Sequence, residues 1–183
     1  MSLTTSTSYN VNLGPSGRAM AEPMPGGLVD ALHQHLTMER NASSQYFANS
    51  IWFAERELRG ISKFFKKEAE NEQAHANLFS DYLIARGQSV VLEELKAPIQ
   101  VWNDIENIFT ASFRMEADVT TSLHNLYATA ERSSDFRTTV YLDPIIQSQT
   151  ESEDEFAYLL GRVKFAKNQP SALLIIDGEL NGQ

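Results

Sequence analysis

Apolar side chains recur at three- and four-residue spacing through four long stretches of the chain, and each stripe is broken by a polar residue. The first runs from Leu28 through Leu32, Leu36 or His35, Glu39, Ala42, Tyr46, Asn49 and Phe53, with nothing to end a helix before about Glu55. The second spans about Ile61 to Arg86, with Gly60 marking the turn region before it and Gly87 as its closing glycine. It sets Phe65, Glu68, Glu72, His75 and Phe79 along one side. The third takes Asn103 as its N-cap and runs to about Glu131, with Ile105, Phe109, Ser112, Glu116, Val119, Leu123, Leu126 and Ala130 as its stripe. Ser133-Ser134-Asp135 reads as a break. A fourth helix follows, with an irregular start expected at Asp143-Pro144, carrying Ile145, Gln149, Ser152, Phe156, Leu159 and Val163. Lys167 to Gln169 end it. Pro170 suits the first turn of a short apolar helix, Ser171 to Leu180, which cannot stand alone and must dock on the bundle or on neighbouring subunits.

Gln88 to Val101 has no helical stripe and contains Pro98. Extended at about 3.3 Å per residue it reaches roughly 50 Å. A helix of about 26 residues is about 39 Å long. The segment can therefore cross the whole length of a bundle. The predicted fold is all-α: a four-helix bundle over residues 26–183 with one long crossover and a short fifth helix, preceded by a flexible tail over residues 1–25 rich in Ser, Thr, Asn, Gly and Pro.

Composition narrows the chemistry. The 183 residues suffice for one domain with a full core. Cysteine is absent, so any metal must sit among carboxylates and imidazoles, which suit iron, manganese or zinc. A formal charge of −9 argues against a nucleic-acid partner and attracts cations. No apolar run approaches the roughly 20 residues that cross a bilayer, and the first residues lack a signal-type apolar segment. A cytoplasmic protein is expected.

The stripe-breaking residues fall into register. Glu39 and Glu72 are 33 residues apart, and so are Glu116 and Gln149. Residues equidistant from the turn of an antiparallel helix pair lie side by side, so each pair meets at one level of its own hairpin. The crossover lets the two levels face each other. Three unpaired carboxylates at one depth of an apolar core are costly, and a pair of divalent cations removes the cost. Glu72 and His75 also form the Glu-x-x-His pair with which bundles hold di-iron or di-manganese centres. The competing reading is an ion-pair network with Arg114 or a similar base. Tyr46, taken alone, reads as a core tyrosine with its hydroxyl satisfied.

With Glu39 and Tyr46 on the first helix, Glu72-x-x-His75 on the second, Glu116 on the third, Gln149 on the fourth and the Ile176-Asp177-x-Glu179-Leu180 ending, the chain resembles the non-haem ferritins over about Leu28 to Leu180. The resemblance implies a ferroxidase that oxidises Fe(II) with O2 or H2O2 at a di-iron centre. It implies ferric mineral deposited inside a homomeric 24-subunit shell, with no nucleic-acid or membrane partner. It implies one iron on Glu39, Glu72 and His75. The other would sit on bridging Glu72 and on Glu116, with Gln149 near the oxygen-binding side and Tyr46 as a hydrogen-bonding electron donor. Haem is not expected, since Gln73 stands where haem-binding relatives carry methionine. Ser148 and Ser152 take two places where bacterial relatives carry acids for a third iron, which leaves Glu151 as the candidate for a weak third site. Asn71 replaces a residue often acidic in relatives. Glu68 and Asn71 are candidate iron-transit residues, and Asp135 and Asp143 candidate pore acids. Asp135 and Asp143 read equally as turn or cap residues, and Glu68 as a partner of Lys66 or of a nearby arginine. Such a shell would carry roughly −200 formal charges, a funnel for cations.

A di-iron oxidase or peroxidase serving oxidative-stress defence is the second function class, but the fourth helix lacks the second Glu-x-x-His that such enzymes use. A metal-free bundle and a DNA-protecting mini-ferritin fit the intact ligand set and the acidic charge less well.

Overall fold

The computed structural model describes residues 10–182. Four long helices, α1 (Gly26–Ala54), α2 (Arg59–Ala85), α3 (Ile105–Arg132) and α4 (Phe136–Ala166), form the bundle, and α5 (Pro170–Asn181) closes the chain. The hairpin partners α1 and α2 pack on each other, as do α3 and α4. The core comes in two parts. One is aromatic and includes Tyr46, Phe53, Phe65, Phe109 and Phe156, with Leu173, Ile176 and Leu180 of α5 packed on it. The other is mostly aliphatic, with Leu28, Leu32, Leu36, Leu83, Leu123, Leu126 and Leu142 around Phe79. The buried residues Glu39, Glu72, Glu116 and Gln149 belong to neither part.

The C-terminal ends of α1, α2 and α3 share one device. A left-handed residue (Glu57, Gly87 or Ser134) is followed by an N–H that returns to a carbonyl five residues back: Leu58 to Phe53, Gln88 to Leu83, Asp135 to Ala130. Only Gly87 advertised this in the sequence. Gly60, expected in the turn, lies instead in the first turn of α2, where its missing side chain lets α5 approach. A Cβ there would fall 1.8 Å from the Asp177 carbonyl oxygen, and the neighbouring Ile61 N–H donates to Asp177 Oδ1 at 2.8 Å. The N-cap of α3 is Asp104 rather than Asn103, because its Oδ1 accepts from Asn107 N–H at 2.8 Å. Nor does α4 begin irregularly at Asp143-Pro144. It starts at Phe136 and runs through Pro144, and the carbonyl that loses its donor belongs to exposed Val140.

The crossover runs along α1 in the same direction, as its length allowed. Polar side chains of α1 satisfy its backbone in order: His33 accepts from Val91 N–H, Asn41 from Lys96 N–H, and Gln45 exchanges two bonds of 2.8 Å with Ile99. The supposed tail is also structured from residue 10 onward; residues 1–9 lie outside the described residues. Strands β1 (Asn12–Leu13) and β2 (Ala19–Met20) pair antiparallel. Gly14 presses on the backbone of Gly87, where any Cβ would collide with the Gly87 carbonyl. Two glycines without side chains make that contact possible.

Asp135 caps α4, accepting from Thr138 N–H, and both its oxygens are taken by Arg86 of α2 at 2.9 and 2.7 Å. The pair is buried, and Arg86 also meets the Tyr82 hydroxyl at 2.7 Å. Burial is outweighed by these bonds, so the Asp135 carboxyl is held below the usual range. Replacing Asp135 by alanine leaves a buried guanidinium unpaired, so a loss of about 3–5 kcal/mol is expected. The midpoint of urea unfolding, followed by circular dichroism at fixed protein concentration, checks this. A midpoint unchanged from the parent would show that the pair is not holding α2 to α4.

Candidate metal centre

Midway along the bundle, α1 contributes Glu39, α2 contributes Glu72 and His75, and one ligand atom from each lies within 4.8 Å of the others. Facing them, α3 supplies Glu116 and α4 supplies Gln149. Gln149 Nε2 donates to Glu116 Oε2 at 2.8 Å and to the Glu116 carbonyl at 3.2 Å. The Tyr46 hydroxyl donates to Glu116 Oε1 in a short bond. Each of these residues arrives by helical period, on the inward stripe of its own helix.

The carboxylates are almost entirely removed from water: Glu39 is 2% exposed, Glu72 3% and Glu116 2%. Among the described residues, no arginine or lysine forms an ion pair with any of them; the basic side chains beside them are the imidazoles of His35 and His75. The network with Arg114 is therefore not what compensates them, and Arg114 lines a groove beneath the crossover with Trp102 and Asn107. Glu39 Oε2 is buried without any hydrogen-bond partner. An orphaned carboxylate oxygen at the centre of an acid–imidazole cluster is what a hard divalent cation would satisfy. The residues fit such an ion.

Proton affinities follow from burial. Desolvation pushes Glu72 and Glu116 each up to about 7, and it raises Glu39 as well. The hydrogen bond that His75 Nδ1 makes to the Glu72 carboxylate, at 3.1 Å, lifts His75 to about 9. Burial drops His35 to about 4, so it is neutral, and raises Tyr46 well above its ordinary value. Metal-free, the centre holds protons that a cation must expel.

Most of the sequence-derived set converges here: Glu39, Tyr46, Glu72, His75, Glu116 and Gln149. Glu68, one turn before Glu72, is buried beside the cluster and bonded by Asn71 Nδ2 at 3.1 Å. Burial and the charges of Glu155, Glu72 and Glu116 push it up to about 7. It does not pair with Lys66. Asp135, considered for a pore, is spent on Arg86 and on capping α4, and it offers no free oxygen. Asp143 is exposed near Tyr127, in a hollow with His124 and Glu131, and Glu151 is exposed on α4. Two features went unread in the sequence. Glu153, one turn beyond Gln149, accepts from Thr120 of α3 in a short bond. His35, one turn before Glu39, stands at the cluster with no exposure at all. The spacing of four residues was the available signal for both.

The ferritin-like domain family matches residues 29–166, and the chain belongs to that family. A bacterial non-heme ferritin of Staphylococcus epidermidis is 29% identical over 129 residues, covering 70% of this chain and 78% of the relative. A ferritin of Pacifastacus leniusculus is 29% identical over 155 residues, covering 82% and 86%. The solved structure of an open pore ferritin from Archaeoglobus fulgidus superposes with a TM-score of 0.86 at 24% identity, over 88% of this chain and 99% of that one, which shows the fold. Among the described residues no helix is long and apolar enough to cross a membrane.

The raised carboxyls fix the sign of a pH effect. A glutamate that binds its proton more tightly folded than unfolded favours the metal-free fold at low pH. That contribution is lost as pH rises from 4.5 through about 7. His75 acts in the same direction, stabilising below 6.5 and losing its contribution as pH rises through about 9. A cation competes with these protons, so it should raise the melting temperature more at pH 8 than at pH 6. Calorimetry of metal-free protein with and without Co(II) reads the difference. An increment independent of pH would mean that these carboxyls do not take the ion.

Proposed function

We propose that this chain is an iron-storage protein with ferroxidase activity. It would take two Fe(II) at the centre, oxidise them with dioxygen or peroxide, and deposit ferric mineral inside a 24-subunit shell. The observation that carries this reading is the set of three buried carboxylates and one imidazole with no lysine or arginine partner among the described residues, inside a bundle of the ferritin-like family. Glu39, Glu72 and His75 would hold one iron. Glu116, with Glu72 as a bridge and Gln149 beside it, would hold the other. The names of the relatives support iron as the substrate.

In this reading two Fe(II) each give one electron to a dioxygen molecule, which with two protons becomes hydrogen peroxide; with peroxide as oxidant the product is water. Carboxylate oxygens stabilise Fe(III) over Fe(II), which supplies part of the driving force. Tyr46 and Gln149 fix both oxygens of Glu116 before iron arrives, so little reorganisation is required. His75, partly exposed, must give up one proton before a ring nitrogen can ligate, and its bond to Glu72 as well if that nitrogen is Nδ1. The pairing of Glu68 with Asn71 at the edge of the cluster suits a transit step for iron. Asp143 remains the candidate pore acid, and Glu151 the candidate for a weak third site.

Self-assembly is supported by apolar surface that a lone subunit leaves bare. Phe165 is 89% exposed, and Leu174 and Ile175 of α5 are each 60% exposed. The same reading places the protein in the cytoplasm.

Anaerobic Fe(II) loading of the metal-free protein, followed by stopped-flow mixing with oxygen, tests the proposal. A fast absorbance phase saturating near two Fe(II) per chain is expected, and Glu72→Ala should abolish it. Iron oxidising no faster than in buffer, with no stoichiometric phase, would sink the catalytic claim.

A further inference from the structure

His35 is a buried histidine that the proposed ligand set does not use. Its ring is gripped by three helices. It sits on α1, one turn before Glu39; its Nδ1 lies 2.8 Å from the Ser122 hydroxyl of α3; its ring meets Phe79 of α2 with centroids 4.4 Å apart at a steep angle. Nε2 is 2.8 Å from Glu39 Oε1, yet out of line for a formed hydrogen bond, and has no other partner. The other oxygen of that carboxylate, Oε2, is likewise buried and unpartnered.

The ring cannot turn away without losing Ser122 and colliding with Phe79. Nδ1 is within bonding distance of a hydroxyl, which can donate to it. When Ser122 donates, Nε2 carries the ring hydrogen, and Glu39 Oε1, at 2.8 Å, is the acceptor that a small turn of the carboxylate brings into line. The three groups are then placed for a directed relay, Ser122 to His35 to Glu39. It leaves Oε2 as the carboxylate oxygen without a hydrogen-bond partner among the described residues. We infer that His35 is a positioning residue for the metal centre: with Ser122 it holds Oε1 of Glu39 so that Oε2 is presented to the ion. Ligating carboxylates elsewhere are themselves hydrogen-bonded, and loss of such a partner costs about 10–100-fold in metal affinity. A histidine that only filled the core would be served by Ser122 alone, with its second nitrogen set against apolar atoms.

This inference rests on the metal-centre reading and can be separated from it. Metal-free wild type, His35→Leu, His35→Gln and Ser122→Ala are each titrated with Co(II) under anaerobic conditions. Visible absorption reports ligation, and circular dichroism reports helix content. Wild type should bind with carboxylate–imidazole bands. His35→Leu should lose about 10–100-fold in affinity for one of the ions, with a shifted band at unchanged helicity. His35→Gln, whose amide N–H reaches the place of Nε2, should recover most of that loss. Ser122→Ala, which keeps the ring but frees its orientation, should fall between wild type and His35→Leu, and it reads the same chain if His35→Leu does not fold. Equal affinity in wild type and His35→Leu, or the same loss in the leucine and glutamine variants, would overturn the positioning role while leaving the metal centre intact. Failure of wild type itself to bind Co(II) would remove the centre and the inference together.

Discussion

Three carboxylates in an apolar interior, with no lysine or arginine among the described residues to answer them, are the constraint on which the rest of this bundle turns. Glu39, Glu72 and Glu116 each interrupt a stripe that should otherwise be continuous leucine and phenylalanine. They divide the core into an aromatic part and a largely aliphatic part. Each buried acid costs several kcal/mol unless protonated, hydrogen-bonded or coordinated. The metal-free fold uses the first two remedies: raised proton affinities, and donors from Tyr46, Gln149 and His75. Coordination would be the third.

The surrounding fold makes that arrangement durable by fixing the four helices from outside the site. On the aromatic side, α5 packs at the start of α2, where Gly60 yields to its backbone. At the opposite end, Arg86 and Asp135 tie α2 to α4 through a bidentate ion pair. The crossover is not a slack connection. A row of α1 side chains, from His33 to Gln45, satisfies its backbone along the length of the bundle. Fixing the helices in this way holds the acids at one level, since a slip of a single turn would move a side chain by about 5.4 Å.

The polar neighbours of the acids are asymmetric. Glu116 is held on both oxygens, whereas Glu39 has one oxygen facing His35 and one without a hydrogen-bond partner among the described residues. The two halves of the centre therefore begin from different degrees of preorganisation. The half built from α1 and α2 carries the imidazole and the unpartnered oxygen. The half built from α3 and α4 carries the neutral amide and the phenol.

By itself the sequence determined the helices, the crossover and six residues that meet inside the bundle, because a period of 3.6 shows which positions face inward and a charge on such a face stands out. It also showed, through equal spacing of 33 residues, that Glu39 meets Glu72 and Glu116 meets Gln149. Only the tertiary structure decided what each terminal or flanking polar residue does. Gly60 looked like a turn and is a contact with α5; Asp135 looked available to a pore and is bound to Arg86; residues 10–25 looked slack and form a hairpin against Gly87. His35 looked interchangeable with Leu36 on its stripe, and it is the residue facing Glu39. Periodicity fixes the face of a helix on which a residue lies, whereas a hydrogen-bond partner depends on which atoms other helices bring within about 3 Å, and that is a property of packing between segments far apart in the chain.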